Sequence, residues 1–339
     1  MTVTTLADKN AEEAAEALAG SFEALADRMA EVRRSIGKVI FGQQTVVDQT
    51  LISLLAGGHV LLVGVPGLAK TRLAETLGTV FGLSERRVQC TPDLMPADIL
   101  GSEVLEENDA GKRQFRFIEG PIFTQLLMAD EINRASPRTQ SALLQAMQEH
   151  RVSVSGKTYE LPSPFHVLAT QNPLEHEGTY PLPEAQLDRF FMEVQVDYPD
   201  LEAERQMLIT TTGLEQASAD PVMSGEELIA AQKLVRQVPV GETVVEAILG
   251  LVRRGRPDES DLPEVRAQVS WGPGPRASQC LMLAVRARAL IEGRLVPSVD
   301  DVLALAPPVL RHRMGLSFAA RADGVTLEQM IDRLAAPYA

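Results

Sequence analysis

Four groups of residues have the types and spacing to handle a triphosphate. The first is LLVGVPGLAKTRLAE at 61–75. An apolar segment runs into Gly64, Val65, Pro66, Gly67, Leu68 and Ala69, then into Lys70 and Thr71 ahead of a helical pattern. A loop here can curl so that successive N–H groups face phosphate oxygens, with the positive end of the following helix behind them. Lys70 would reach the β- and γ-phosphates, and the Thr71 hydroxyl would hold Mg²⁺. The phosphate-loop pattern G-x-x-x-x-G-K-[ST] has glycine where this chain has Ala69. Ala69 is expected near the first helical turn, where a methyl group fits more easily than inside the curl. Standing alone, the stretch also reads as a strand, turn and helix punctuated by Gly and Pro.

The second group is Asp130 and Glu131, closing the apolar run LLMADE about sixty residues after Lys70. At the end of a strand both acids can project into one crevice. Asp130 would meet the Mg²⁺ shell, and Glu131 would orient and polarise a water for attack on the γ-phosphate. A solvated acidic turn is the alternative, which the pairing with the loop disfavours. The third is Asn172, ending HVLATQN, whose amide can hold both water and γ-phosphate or can simply form a turn before Pro173. The fourth is cationic. Arg189 in GTYPLPEAQLDRF and Arg276 in GPGPRAS are best placed to offset charge on a transferring phosphoryl group. Either alone reads equally as a solvated side chain, and Arg189 as a partner of Asp188.

These groups need a scaffold, and the chain supplies one. Apolar runs at 59–65, 86–90, 125–131, 165–172 and 189–196 are separated by helical stretches, one of them at 70–81. That rhythm predicts a parallel sheet covered on both faces. Residues 11–35 read as an amphipathic helix with acids early and arginines late, and VIFGQ at 39–43 as a short extended piece. Two hairpins interrupt the rhythm. One spans 103–118 with a turn near Asn108–Gly111; the other, 151–161, turns at Ser155-Gly156. An acidic segment at 200–227 precedes a helical region, in which Gly293 stops one helix and Ser298 with Asp301 caps the next.

Composition bounds the partners. The 339 residues carry a net charge of −14, with 45% hydrophobic and 4% aromatic residues, so aliphatic side chains and Met must build the core. From Arg253 onward there are 12 Arg, no Lys and 10 Asp/Glu, which leaves −16 for the rest. That field opposes a phosphate backbone. The Arg-rich stretch 286–294 reads as a solvated or inter-subunit face. No apolar run approaches a membrane span and no basic-then-apolar start is visible, so a soluble cytoplasmic protein without membrane insertion is expected. Cys90 and Cys280 suggest a reducing compartment and read as small buried residues. His59, His150, His166, His176 and His312 lack metal-ligand spacing, and Trp271 reads as a packing residue.

Taken together, GVPGLAKT, LLMADEINRASPRTQSALLQAMQE, VLATQNPLEHEGTYPLPEAQLDRF, GPGPRAS and LAPPVLRHR resemble the MoxR family of AAA+ ATPases from about residue 35 onward. Alanine before the lysine is common in that family. The resemblance implies an AAA+ P-loop αβα sandwich with a five-stranded parallel sheet and a C-terminal all-α lid. The expected divisions are an N-terminal helical segment at 1–35, the core at 36–198, a linker at 199–227 and the lid at 228–339. ATP and Mg²⁺ are the implied ligands. Lys70 and Thr71 match Walker A, Asp130 and Glu131 Walker B, Asn172 sensor 1, Arg189 the arginine finger and Arg276 sensor 2. Arg134 and Arg138 could also face a subunit boundary and serve as the finger. The resemblance further implies a ring, usually a hexamer, and an assembly chaperone for a protein client, often a von Willebrand factor A-type protein. A nucleic-acid motor and a nucleotide-gated scaffold with slow turnover are the alternatives. The hairpin tip Ser155-Gly156-Lys157 carries one cation, which argues against the motor.

Overall fold

The computed structural model describes residues 4–107, 113–175, 177–213 and 217–338. Residues 35–226 form one compact unit; residues up to 34, together with 227 onward, form a second. The first helix, α1 (Thr4–Gly37), belongs to the second unit up to Arg34.

In the first unit the chain passes through α2 (Gln44–Leu55), β1 (Val60–Val63), α3 (Lys70–Val80), β2 (Glu85–Gln89) and α4 (Pro96–Leu100). A hairpin of β3 (Gly101–Glu107) and β4 (Arg113–Glu119) follows, then β5 (Leu126–Asp130) and α5 (Pro137–Glu149). A second hairpin, β6 (Arg151–Val154) with β7 (Lys157–Glu160), precedes β8 (His166–Gln171), α6 (Glu184–Leu187), β9 (Met192–Gln195) and α7 (Leu201–Thr211). Five strands make one parallel sheet in the order β2-β5-β8-β1-β9. Its apolar runs are buried on both faces: Leu61, Leu62, Leu127, Met128, Val167 and Leu168 are all fully enclosed. Leu73 and Leu77 of α3 and Leu143, Leu144 and Met147 of α5 complete that core. Each expected strand is present; β1, β5, β8 and β9 are shorter than their apolar runs, and β2 is shifted by one residue.

Both inserted hairpins form as expected, although the turn anticipated near Asn108–Gly111 lies outside the described residues. The second turns through Ser155 and Gly156, both left-handed at φ +51° and +81°, the conformation a two-residue hairpin turn favours. The hairpins pack on one another. Phe117 of β4 stacks on Tyr159 of β7 with centroids 4.0 Å apart, and Lys157 pairs with Glu103 at 3.0 Å.

Within the segment read as a linker, residues on both sides of 214–216 are bonded to the first unit. Asp200 caps α7 by accepting from the Ala203 N–H at 2.8 Å. Val222 and Met223 both donate to the Val80 carbonyl at the end of α3. These bonds tie residues up to 226 into the first unit.

The second unit is helical: α8 (Gly225–Val235, whose first two residues belong to the first unit), α9 (Glu242–Arg254), α10 (Pro263–Gln268), α11 (Pro275–Ile291), α12 (Val299–Leu310), α13 (Phe318–Ala322) and α14 (Leu327–Ala335). One two-stranded ladder, β10 (Val269–Trp271) with β11 (Gly315–Leu316), departs from the all-helical expectation. Gly293 at φ +71° follows α11, and Ser298 and Asp301 form the anticipated capping box. Buried Asp301 also accepts from Arg294 and pairs with Arg288. The Arg-rich stretch thus carries internal ion pairs.

Candidate active site

All the elements that matter meet at the carboxyl ends of the parallel strands, where ligands bind open α/β sheets. The loop leaves β1 at Gly64, where a Cβ would lie 2.4 Å from the Val196 carbonyl oxygen, so no side chain fits there. Gly67 has φ +87° with nothing near a hypothetical Cβ; conformation, not space, requires glycine. Ala69 lies just before the helix, as expected, but it is left-handed at φ +57° and ψ +19° and so belongs to the curl rather than lying beyond it. The consensus glycine position is part of the curl, and this chain accepts an alanine in a region that suits glycine better. Lys70 opens α3 and folds back, its Nζ donating to the Gly64 and Val65 carbonyls at 2.6 and 2.7 Å. Burial lowers the Lys70 pKa, against the opposing pull of Asp130 and Glu131.

Asp130 ends β5, and Glu131 follows it in a left-handed conformation at φ +54° and ψ +52°. That turn breaks the alternation of a strand, so both acids line the same cavity. A buried hydroxyl on the neighbouring strand joins them. Thr170 Oγ1 is 2.5 Å from Asp130 Oδ1 and accepts the Glu131 N–H at 2.8 Å. Two β2 residues on one face complete the ring: Arg87 donates to Asp130 Oδ2 at 2.6 Å, and Gln89 to Glu131 Oε2 at 2.9 Å. Arg134 also donates to Glu131 Oε2, at 3.1 Å, and pairs with Glu175 at 3.6 Å. Nearby Cys90 is buried, and its thiol pKa is pushed up to about 12 by that burial and by the two acids.

A cavity of about 480 Å³ is lined by the loop, Lys70, Thr71, Arg87, Gln89, Asp130, Glu131, Thr170 and Asn172. Asn172 lines this cavity and also makes the turn before Pro173. Its Oδ1 accepts from the Leu174 N–H at 3.1 Å, as a turn-forming Asn does, while its Nδ2 contacts Glu175 at 3.4 Å. Next to this cavity lies a mainly apolar one of about 470 Å³, sharing Pro66 to Ala69 and bounded by Val39, Ile40, Phe41, Tyr198 and Met207. The two together fit a nucleotide: a polar cradle at a helix N-terminus beside an apolar slot for a base. Thr71 and Asp130, a hydroxyl and a carboxylate on one cavity, suit a hard divalent cation.

Sequence reasoning missed Arg87, Gln89, Thr170 and the apolar slot. Val39 to Phe41 fall within VIFGQ, whose only signal was extended backbone. Thr170, two residues before Asn172, offered no chemistry that spacing alone would reveal.

The cations divide. Arg134 is engaged within the chain, and Arg138 is exposed in the first turn of α5. Arg189 sits between α6 and β9 and is not among the residues lining the cavity. Arg276 begins α11, in the other unit. The motif blocks interlock. Tyr180 donates its N–H to the Asn133 carbonyl at 2.6 Å, and Gln140 Nε2 donates to the Ile132 and Tyr180 carbonyls. The loop bearing Glu175 is thereby docked on the segment following Glu131. Lys157, Arg113 and Arg116 on the hairpins are paired with Glu103, Glu107 and Glu106; Lys112 and His176 lie outside the described residues. Buried His59 and His166 serve the opposite end of the sheet, and no cluster of possible metal ligands occurs among the described residues. Among the same residues, no helix is long and apolar enough to cross a membrane.

Comparison with known proteins agrees with this architecture. The family model "ATPase family associated with various cellular activities (AAA)" matches residues 59–192, and that for the AAA lid domain matches 264–334. The chain is 41% identical to "Chaperone MoxR1" of Mycobacterium tuberculosis over 96% of its own length and 86% of that protein's. It is 32% identical to "Protein MoxR" of Methylorubrum extorquens, over 86% of this chain and 88% of that one. A crystal structure of a proposed ATPase from Cytophaga hutchinsonii superposes with a TM-score of 0.86 at 35% identity, covering 95% of this chain and 96% of that one. With the AAA domain, its lid and full-length relatives all matched, this chain belongs to the MoxR family of AAA+ ATPases.

Proposed function

We propose that the chain hydrolyses ATP with Mg²⁺ and uses the cycle to remodel or assemble a protein client. One observation carries this reading: the phosphate loop, Lys70, Thr71, both acids and Asn172 line a single cavity. The N–H groups of residues 64 to 69 would cradle the triphosphate. Lys70 would exchange the Gly64 and Val65 carbonyls for the β- and γ-phosphates. Thr71 and Asp130 would hold Mg²⁺, which when bound supplies positive charge against the phosphate oxygens. Glu131 would orient the attacking water and accept its proton, with the Asn172 amide steadying water and γ-phosphate. Arg189 would act in trans on a neighbouring subunit's nucleotide, which accords with its absence from the lining of its own cavity. Arg276 would be sensor 2. The assembly would be a cytoplasmic hexameric ring, with residues 36–198 as core and 228–339 as lid.

The client is taken to be a protein, with a von Willebrand factor A-domain partner as the first candidate. The hairpins support a protein over a nucleic acid, because Arg113, Arg116 and Lys157 already face acids. One observation favours the slow-turnover scaffold as a second reading: Glu131 Oε2 already accepts from Gln89 and Arg134. Turnover with and without a client protein separates the two.

The test of the site uses two variants. Lys70→Ala should lose ATP affinity, whereas Glu131→Gln should bind ATP normally and fail to turn it over. Normal turnover in Glu131→Gln would remove that residue from its role. For the finger, Arg189→Ala mixed with Glu131→Gln should recover activity at interfaces that combine an intact finger with an intact base. Confirmed mixed oligomers without recovery would shift the finger to Arg138 or Arg134.

A further inference from the structure

We infer that Thr170 is a positioning residue for both Walker B acids, acting through one hydroxyl. The inference rests on the reading of Asp130 and Glu131 given above. Thr170 is 1% exposed, at the carboxyl end of β8, the central strand, with Leu62 of β1 as its partner in register. Two bonds meet at its oxygen, and their directions are fixed. A backbone N–H can only donate, so the Glu131 bond at 2.8 Å uses the oxygen as acceptor. The single hydroxyl proton is then committed to Asp130 Oδ1, at 2.5 Å.

Each bond holds something that would otherwise drift. Glu131 occupies a left-handed conformation that a non-glycine residue adopts only when its surroundings impose it. The bond to its N–H is one such constraint, and it fixes where the carboxylate emerges. The bond to Asp130 fixes the rotation of a carboxylate that also accepts from Arg87. A β-branched side chain in a strand has a stiff χ1, so threonine holds this hydroxyl in place better than serine while presenting the same group. In this scheme Thr170 acts through the two carboxylates rather than as a ligand of its own. It sets the separation and aim of the two carboxylates, and spares Lys70, Thr71 and the loop.

The experiment compares Thr170→Val, which keeps the shape and loses the hydroxyl, with Thr170→Ser, which keeps the hydroxyl and loses the methyl. Both are made in the full chain beside Glu131→Gln. Thr170→Val should lower kcat by roughly 10- to 100-fold, the scale of a lost hydrogen bond to a charged group. Its affinity for a fluorescent ADP analogue in EDTA should stay within about twofold, because the loop is untouched, while the tightening produced by Mg²⁺ shrinks several-fold. Without any nucleotide, amide exchange in the peptide spanning 126–134 should speed up. Thr170→Ser should remain within a few-fold of the parent on every measure. A parental kcat in Thr170→Val, or equal loss in Ser and Val, would overturn the proposal; equal loss would mean that only packing matters. If the valine protein does not fold, Thr170→Ala replaces it against Ser, and equal behaviour of those two overturns the proposal in the same way. Full turnover in Glu131→Gln would instead strike the underlying reading, whatever the Thr170 variants do.

Discussion

The two ends of the five-stranded sheet bury polar groups by opposite means. At the carboxyl end, Lys70, Asp130, Glu131 and Arg87 line a cavity, Arg87 and Arg134 pair with the two acids, and the backbone is left-handed at two non-glycine residues, Ala69 and Glu131. At the amino end, His59 and His166 are buried and neutral, and their ring nitrogens bond backbone groups. His59 donates from Nε2 to the Met147 carbonyl at 3.0 Å and accepts the Val167 N–H at Nδ1, also at 3.0 Å. His166 Nδ1 donates to the Gly58 carbonyl at 2.9 Å. Burial is the main cause that pushes the His59 pKa down to about 3 and that of His166 to about 4. One end keeps its charges and stores strain, while the other discards charge and gains order. The same strands connect a site built to change with a base built not to.

The sharpest way to break this contrast is to exchange effects between the ends. Glu131→Gln should lower turnover by about 10²-fold or more, the scale of losing a positioned base. Its thermal midpoint should move little, because Glu131 is partly exposed and its left-handed backbone is unchanged. A large fall in stability would show that the acid is structural after all. His59→Ala should do the reverse. It leaves the Val167 N–H and the Met147 carbonyl unsatisfied in a cavity, at a cost of about 2–4 kcal/mol, with kcat per folded molecule unchanged. Denaturant titration beside single-turnover kinetics measures both arms.

A pH dependence tests the neutrality of the amino end. The unfolded chain protonates its histidines near pH 6.5, whereas folded His59 and His166 resist until about 3 and 4. Their contribution is therefore complete above pH 6.5 and is lost as pH falls below it. The slope approaches about 1.4 kcal/mol per pH unit for each ring. Unfolding midpoints between pH 7 and 4.5 should show this decline, and His166→Gln should flatten it. Equal slopes in parent and variant would assign the acid sensitivity to other groups.

Much of the carboxyl end was legible in sequence because its chemistry uses uncommon residues at fixed offsets. Lys70 and Thr71 after a glycine loop, paired acids after an apolar run, and Asn172 after another all reached the same cavity. Backbone conformation was not legible. Nothing in MADEIN signals that Glu131 turns left-handed, and nothing in Leu68-Ala69-Lys70 signals that Ala69 does. Long-range partners were equally hidden. Thr170 reads as a β-branched strand residue, and Gln89 ends a strand whose register with β5 only the folded sheet defines. The amino end left no sequence signal of its own. Histidines without metal spacing were set aside, and their role depends on carbonyls 88 and 108 residues away. The helix α2 also went unread between the VIFGQ piece and the first strand. QTVVDQTLISLL buries eight of its residues, too many for the one-sided pattern by which surface helices are recognised.

The smallest expected effect lies at Ala69, where the strained end can be relaxed without touching its chemistry. A left-handed alanine costs roughly 1–2 kcal/mol relative to a right-handed one, a cost that glycine largely avoids. Glycine in turn loses more chain entropy on folding, by about 0.5–1 kcal/mol. Ala69→Gly should therefore change stability by less than about 1 kcal/mol, in the stabilising direction. Its effect on nucleotide affinity should be equally small, because the N–H groups of the loop keep their positions. The opposite substitution at the neighbouring glycine sharpens the point. Gly67 is also left-handed with open space around it, so Gly67→Ala tests conformation alone. It should destabilise by about 1 kcal/mol where Ala69→Gly stabilises. Urea titrations of the two single variants suffice to check the pair. If Ala69→Gly were clearly destabilising, the alanine methyl would be making a contact worth more than its strain, and this part of the loop would owe its shape to packing.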